Sequence, residues 1–258
     1  MQRVLFSAVC TFLSLFPLFC QQTPSGPSFE VASVKPNTSG DNNSSMNTNN
    51  GEMLIRNSTL KNIIQNAYNV REYSFSGPDW LSSVRFDVSA RFPQSDSKEM
   101  SKEERQEMRR VMLQNLLAER FKLEVHRETK TLSGYALLVS KKGARLKDSE
   151  RKEGMNSRQN NGTLEAEGMT MANLANVIAG ELRGPVADMT SLTGRYDLRL
   201  EWSRDEAKPT SDGDGKSVDT RPSIFTALQE TLGLRVETKK IPVEILVVDR
   251  VERIPSEN

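Results

Sequence analysis

The sequence predicts an α+β fold made of two tandem copies of one small unit. Arg85–Phe92 (RFDVSARF) and Arg195–Trp202 (RYDLRLEW) alternate apolar and polar residues in the same way at a separation of 195 − 85 = 110 residues. Phe121, Leu123 and Val125 have apolar counterparts at 232 − 121 = 111 residues. A repeat of this length indicates duplication of a domain rather than a solenoid of short units.

Each copy is predicted to run strand, helix, strand, helix, strand, strand, with antiparallel-rich sheets and helices packed on one sheet face. The length of 258 residues suits two units of roughly 100 residues each. The predicted division is 1–20 as a signal peptide, 21–50 as an N-terminal strand and polar loop, 51–146 as the first α+β repeat, 147–161 as a charged linker and 162–253 as the second α+β repeat.

The elements of the first repeat follow from periodicity. Leu60, Ile63, Ile64 and Ala67 recur at helical spacing, and Ser101 with Glu104 forms a capping box at the start of a longer helix that ends near residue 120. The predicted strands before and within this repeat are Phe29–Lys35, Glu52–Asn57, Arg85–Phe92, Phe121–Glu128 and Tyr135–Ser140. Asn37–Asn50 is almost wholly polar and is predicted to be a loop.

The second repeat retraces this order. Met171, Leu174 and Ile178 mark its first helix, and Ile224 with Leu228 marks a short second helix after a proline. The predicted strands are Thr163–Glu167, Arg195–Trp202, Leu234–Thr238 and Val243–Asp249. In both repeats the first aromatic of the alternating strand, Phe86 or Tyr196, is expected to face the helices and be buried.

The N-terminus has the pattern of a secretory signal. Arg3 precedes the mostly apolar run Val4–Phe19, and the chain turns polar at Gln21. The run is too short and interrupted for a typical membrane span of about 20 residues. We therefore expect export to the periplasm or the medium, with no membrane span after signal removal. A lipoprotein anchored through Cys20 is the alternative.

The charge and composition of the chain limit the classes of partner that we expect. The formal net charge is +1, and acids are interleaved with bases, as in Lys102-Glu103-Glu104-Arg105. A nucleic-acid partner, which would need a basic face or stripe, is therefore not expected. Both cysteines lie in or beside the signal, so the mature domain has no disulfide.

Few residues carry a chemical signal. Asp87 and Asp197 occupy the same repeat position and are the weak candidates for catalytic carboxylates; the other interpretation is that each points to solvent or caps a loop. His126 is the only histidine, and we expect an exposed strand residue rather than a metal ligand or catalytic base. The DGDG run at 212–215 lacks the closing Glu of a calcium loop. No metal and no cofactor are expected.

Aromatic and guanidinium groups near the junction of the repeats are the predicted binding residues. Ligand sites often lie at interfaces between domains, and aromatic and arginine side chains are common in contacts with a partner. The predicted set is Tyr73, Trp80, Arg183 and Arg195. Ordinary packing and surface charge are the alternative interpretation for each of them.

The stretch Phe29–Asn37 (FEVASVKPN) resembles the opening signature of an uncharacterised exported protein family known as soil-associated, from soil bacteria. The resemblance continues through Gly77–Phe92 and Val186–Asp197 (VADMTSLTGRYD), where Ser191 stands in place of the family's usual glycine. The family has no established activity to carry over. Similar domains are fused to membrane metallopeptidases of the antibiotic-sensor type, which implies a sensing or binding role.

Three functions remain open from the sequence. The first is a non-catalytic binding or sensing module outside the cytoplasm, with an unknown protein or small molecule as its partner. The second is a secreted hydrolase that uses Asp87 and Asp197, which would require the two carboxylates to face each other across a cleft. The third is an assembly protein that pairs its edge strands with a partner.

Overall fold

The structure is a computed structural model that describes residues 26–41, 43–49, 51–93, 100–203 and 220–256. The predicted signal peptide, both cysteines and the DGDG run lie outside these residues. The described residues form four α-helices and twelve strands, with mostly antiparallel sheets, and the predicted α+β class is confirmed.

The helices begin at side-chain caps that the sequence encodes. They are α1 (Leu60–Tyr68), α2 (Lys102–Phe121), α3 (Met171–Glu181) and α4 (Ile224–Ala227), the last continued by a π-helical turn to Leu232. The capping box of Ser101 and Glu104 is present at the start of α2. Thr59 and Thr170 cap α1 and α3, and each accepts a hydrogen bond from the backbone N–H three residues later at 3.2 Å.

The strands form three four-stranded sheets. The strands are β1 (Val31–Pro36), β2 (Ser45–Asn49), β3 (Glu52–Thr59), β4 (Phe75–Ser76), β5 (Arg85–Arg91), β6 (Glu124–Val139), β7 (Lys147–Asp148), β8 (Asn156–Asn160), β9 (Thr163–Met169), β10 (Val186–Asp188), β11 (Tyr196–Glu201) and β12 (Leu234–Arg250). The first outer sheet has the order β1-β5-β3-β2, the second outer sheet β7-β11-β9-β8, and the central sheet β10-β6-β12-β4.

The two outer sheets are alike in order, and the pairings within each are antiparallel. In the central sheet β6 and β12 pair antiparallel along almost their whole length, and Thr131 lies opposite Pro242. These two residues are 242 − 131 = 111 positions apart, the same offset as the sequence repeat. This register is compatible with a twofold relation between the two halves. Descent by duplication stays a prediction that this topology supports.

The halves of the chain interlock through the central sheet. β4 follows α1 but pairs with β12, whereas β10 follows α3 but pairs with β6. The first hydrophobic core, around Phe86 and α1, takes Leu246 and Val248 from β12. The second core, around Tyr196 and α3, takes Leu137 from β6. Neither core is made by one predicted repeat alone.

The expected burial of the alternating strands is observed. Phe86 is 2% exposed and Tyr196 8% exposed, and the Phe86 ring meets the Phe121 ring edge-on at 4.9 Å. Val88 and Leu198 are buried on the same face as these aromatics.

Several polar segments that composition predicts as loops or linkers contain strands. β2 lies within the predicted loop 37–50, and β7 and β8 lie within the predicted linker 147–161. All five residues of β8 are exposed. An edge strand exposed on both faces has no apolar alternation to reveal it, because its ladder is made by backbone groups alone.

The predicted breaks near residues 129–134 and 239–242 were wrong, because β6 and β12 are each one continuous strand. Lys239, Lys240 and Pro242 read as a turn, but each pairs across to β6. Pro242 is tolerated because β4, the strand that pairs on the other side of β12, reaches only Leu246 and Val247.

The shared central strands predict that both cores unfold together. Trp80 packs on the first core and Trp202 is buried in the second, and the chain has two tryptophans. Trp202→Phe and Trp80→Phe variants therefore report one core each. In denaturant titrations followed by fluorescence, we expect the two variants to unfold in transitions of the same shape, with the same dependence of the unfolding free energy on denaturant concentration.

A substitution in the first core tests directly whether the second core unfolds with it. Leu246→Ala removes a side chain, 1% exposed, that β12 inserts into the first core, and it should cost about 2–5 kcal/mol of unfolding free energy. Both tryptophans should report the lowered midpoint. A shift seen by Trp80 alone would mean that the cores are independent domains.

Candidate functional site

The RFD run in β5 holds a left-handed residue in the neighbouring strand. Asn57 in β3 has φ 50° and lies at a break in the β3–β5 register. Its backbone N–H donates to Asp87 Oδ1 at 2.8 Å, and its carbonyl oxygen accepts from Arg85 at 2.7 Å. Asn37 donates to both oxygens of Asp87, at 2.9 and 3.0 Å. The two charged side chains thus fix both peptide groups of the bulge.

The RYD run in β11 repeats this clamp in the second outer sheet. Gly168, with φ 71°, donates its N–H to Asp197 Oδ1 at 3.1 Å, and its carbonyl accepts from Arg195 at 2.9 Å. Hydrogen bonds from the Ser149 side chain and then from the Gly168 amide, with the charge of Lys147, lower the pKa of Asp197 below its usual value.

The two aspartates predicted as weak catalytic candidates therefore hold backbone. Asp87 lies in the first outer sheet and Asp197 in the second, and within the described ranges they share no hydrogen-bond partner. Arg195, predicted as a binding residue, also donates to the Gly154 carbonyl at 2.7 Å. Its guanidinium joins the β9 bulge to the loop between β7 and β8.

The other predicted binding residues are spread over the surface. Trp80 is half-buried against the first core, with the Arg253 guanidinium 5.8 Å above its ring. Arg183 is exposed in the turn after α3, with φ 50°. Tyr73 lines a cleft, where burial raises the pKa of its phenol and the Arg71 charge partly offsets the rise.

This cleft has a volume of about 1100 Å³ and is bordered by α1, the 69–74 segment, α2, the β2–β3 hairpin, the central strands and α3. Its cationic lining residues are Arg71, Lys102, Arg109, Arg110 and Arg127, and its acidic lining residue is Glu244. Its amide lining residues are Asn62, Gln65, Asn66, Asn69, Gln106 and Asn176. We call it the cationic cleft.

Contacts from both halves of the chain build the cationic cleft. Arg71 donates to the Asn176 carbonyl of α3 at 3.0 Å, and Arg127 of β6 forms a close ion pair with Glu244 of β12. A side chain at Gly180 would meet the Arg71 guanidinium at 3.2 Å, so the small residue keeps this approach open.

Part of the positive charge is left without an acidic partner. Arg110 pairs with Glu107 at 3.1 Å, and the Arg109 guanidinium lies 5.4 Å above the Phe92 ring. Arg71, Lys102 and Arg109 have no carboxylate partner among the residues that the structure describes. The cleft can therefore attract an anion and supply donors to it.

Sequence reasoning missed the helix residues of this cleft. Lys102, Gln106, Arg109 and Arg110 recur at helical spacing and share one side of α2. Because acidic residues alternate with these basic residues in the sequence, we interpreted this side of α2 as an ordinary solvent-exposed helix face. The available signal was the amide-rich run of α1, which contributes its polar side chains to the same cleft.

His126 is exposed on β6, as expected, and its Nδ1 lies 2.8 Å from Asp249 Oδ1. In the described ranges, no group of three or more His, Cys, Asp or Glu side chains could hold a metal ion. No helix within those ranges has the length and apolar character needed to span a membrane.

The fold and the cleft define an α+β protein with two similar outer sheets joined by a shared central sheet. Residues 61–251 match the family described as "Protein of unknown function (DUF3738)", and the chain belongs to this family. No curated protein and no solved structure matches the chain. The FEVASVKPN stretch precedes the matched residues.

The clamp in β11 predicts a pH dependence of stability. The pKa of folded Asp197 is lowered from 3.8, so its ionised form stabilises the fold above the unfolded pKa. This contribution is lost as the pH falls through the folded pKa. Wild type should therefore lose more unfolding free energy between about pH 7 and about pH 3 than Asp197→Asn does.

Chemical denaturation at both pH values measures this difference. Asp148→Asn is the control, because Asp148 is exposed on β7 beside the clamp and is not a member of it. An equal acid loss in wild type and Asp197→Asn would contradict a stabilising role for the Asp197 carboxylate.

Proposed function

We propose that the protein is an extracytoplasmic, non-catalytic binding or sensing module whose cationic cleft takes an anionic ligand. The observation that carries the proposal is the lining of the cleft, with five cationic side chains and one acidic side chain, Glu244. An anion entering there exchanges hydration for charge-assisted hydrogen bonds from guanidinium groups.

The cleft also suits a ligand rich in polar groups. Six amide side chains line it, and each offers both a donor and an acceptor. Its volume of about 1100 Å³ is slightly above the usual range of small-molecule sites. A polyanion with several hydrogen-bonding groups fits this chemistry better than an apolar compound does.

The hydrogen bonds of Asp87 and Asp197 support a binding function rather than a hydrolase that uses these two carboxylates. Each carboxylate accepts a backbone N–H of a left-handed residue, and Asp87 also takes two bonds from Asn37. A carboxylate committed to such bonds is a poor nucleophile or general base, because proton transfer would break the bonds that orient it.

The assembly alternative is favoured by the parts of β6 and β12 that extend beyond the short strands β10 and β4, because no other described strand pairs with those edges. Against it, Pro242, Lys239, Lys240 and Lys130 lie along this stretch. Lysine and proline on an exposed edge are the devices that block strand addition.

Neutralising the cleft should weaken anion binding. Inorganic tripolyphosphate is the probe, titrated by calorimetry at low and at high salt. Arg71→Gln with Arg109→Gln should weaken binding about tenfold at low salt, since two charge-assisted contacts are lost. High salt should reduce the affinity of wild type for tripolyphosphate. It should also reduce the difference in affinity between wild type and the double variant.

Arg158→Gln is the control, because Arg158 is an exposed arginine on β8 outside the cleft. It should leave the affinity within about twofold of wild type. If it weakens binding as much as the double variant does, the attraction is a property of the net charge, and the cleft is not the site.

Export is the second part of the proposal. The apolar run Val4–Phe19 and the polar residues after it support removal of the N-terminus, and the mature chain should begin between about Gln21 and Phe29. Mass spectrometry of exported protein checks this. A chain recovered outside the cytoplasm with Met1 intact would contradict signal cleavage.

A further inference from the structure

Two helices each contribute one stripe of side chains to the cationic cleft, and the two stripes differ in chemistry. The stripe on α2, which we call the cationic stripe, consists of Lys102, Gln106, Arg109, Arg110 and Leu113. The stripe on α1 and its C-cap, which we call the amide stripe, consists of Asn62, Gln65, Asn66 and Asn69. Residues three or four positions apart share one face of a helix, so each stripe is continuous along the cleft.

The cationic stripe is longer than a small anion. Gln114 donates to the Ala67 carbonyl at 2.8 Å and thereby joins α2 to the last turn of α1. From this junction α2 continues back to Lys102, and the charged part of its stripe, from Lys102 to Arg110, extends about 12 Å at the helical rise per residue. A ligand that uses the whole stripe is therefore a chain with several anionic groups.

The amide stripe has hydrogen-bonding groups to offer. Asn62 and Asn66 are exposed, and their side chains have no hydrogen-bond partner within the described ranges, whereas Gln65 donates to Glu72 at 3.0 Å. A free amide presents a carbonyl acceptor and two N–H donors. A hydroxyl group both donates and accepts, so this stripe suits a ligand that is rich in hydroxyl groups.

The fold itself does not require polar side chains at these positions. The N-caps of α1 and α3 lie at positions 59 and 170, which are 170 − 59 = 111 residues apart, so the two helices can be compared position by position. Asn66 corresponds to Val177 and Arg71 to Leu182, and both of these apolar residues pack against the second core. The amide and guanidinium groups are thus a property of the cleft and not of the repeated topology.

We propose that the cationic cleft binds a linear acidic oligosaccharide, with its carboxylates on the cationic stripe and its hydroxyl groups on the amide stripe. This inference rests on the proposed anion binding at the cleft and adds the class of ligand. Guanidinium groups pair with planar carboxylates through two parallel hydrogen bonds. Tyr73 lines the same cleft and offers a half-buried ring to the C–H face of a sugar.

An acidic peptide is the other chain that supplies carboxylates, and the lining fits it less well. Peptide ligands are commonly held by pairing with a strand edge or by apolar side chains that enter pockets. Among the apolar lining residues, Met53 and Leu113 are 4% and 1% exposed, and Met46 and Val70 are half-buried. The cleft therefore offers little apolar surface to an anchoring side chain.

Three chains of six units separate these classes of ligand. Hexagalacturonate carries carboxylates and hydroxyl groups, hexaglutamate with blocked termini carries carboxylates on a peptide, and cellohexaose is an uncharged sugar. In calorimetric titrations of the whole mature chain at low salt, in calcium-free buffer, hexagalacturonate should bind at least tenfold more tightly than either of the others.

The possible failures of this titration are distinguishable. Equal or tighter binding of hexaglutamate overturns the oligosaccharide inference and leaves anion binding at the cleft in place. Equal binding of cellohexaose overturns it as well, because the carboxylates would then contribute nothing. If tripolyphosphate binds and hexagalacturonate does not, this inference alone fails. If neither binds, the proposed function fails with it.

Substitutions in the amide stripe test which groups of the ligand it contacts. Asn62→Ala with Asn66→Ala removes two free amides, and alanine preserves the helix. The double variant should weaken hexagalacturonate binding at least fivefold more than it weakens tripolyphosphate binding, because tripolyphosphate has no hydroxyl chain to lose. Equal losses for the two probes would show that the amides do not read the sugar, and would overturn the assignment.

Two further variants complete the design. Asn156→Ala removes an exposed amide on β8, outside the cleft, and should leave hexagalacturonate affinity within about twofold of wild type. Arg71→Gln with Arg109→Gln should weaken both hexagalacturonate and tripolyphosphate, since both probes use the guanidinium groups. Undiminished hexagalacturonate binding in this arginine variant would place the oligosaccharide elsewhere and overturn the proposal.

Discussion

The antiparallel pairing of β6 with β12 is the constraint on which the rest of the structure depends. Each strand begins against one hydrophobic core and ends against the other, so both cores lose part of their cover if the pair separates. Leu137 of β6 lies in the second core, and Leu246 and Val248 of β12 lie in the first. Apolar burial in either core thus stabilises the β6–β12 pair, and the other core needs that pair to stay covered.

The outer sheets depend on a second constraint, the left-handed residue in β3 and in β9. A bulge lets the strand twist and end at a helix cap two residues later, but it leaves peptide groups outside the regular ladder. The Arg and Asp of the RFD and RYD runs satisfy those groups. Asn57 has φ 50°, a conformation that asparagine tolerates better than most residues, and Gly168 has φ 71° without steric cost.

The sequence predicts elements well wherever one face is buried. Phe86, Val88, Tyr196 and Leu198 alternate with polar residues, and the predicted strands and their buried faces are confirmed. Prediction fails where pairing is carried by backbone groups alone, as in β8. The cationic cleft was equally hard to predict, because surface arginines on α2 look alike whether or not other elements enclose them.

The interlocked cores also explain where the cationic cleft lies. Arg71 follows α1 and reaches the α3 carbonyl of Asn176, and Arg127 of β6 pairs with Glu244 of β12. These contacts join parts of the chain that are more than 100 residues apart, and they exist only when the central pair is formed. Because elements of both halves wall the cleft, an anion bound to its guanidinium groups would stabilise the folded chain as a whole. A ligand bound at the cleft would therefore be linked to the cohesion of the two cores through the same two strands.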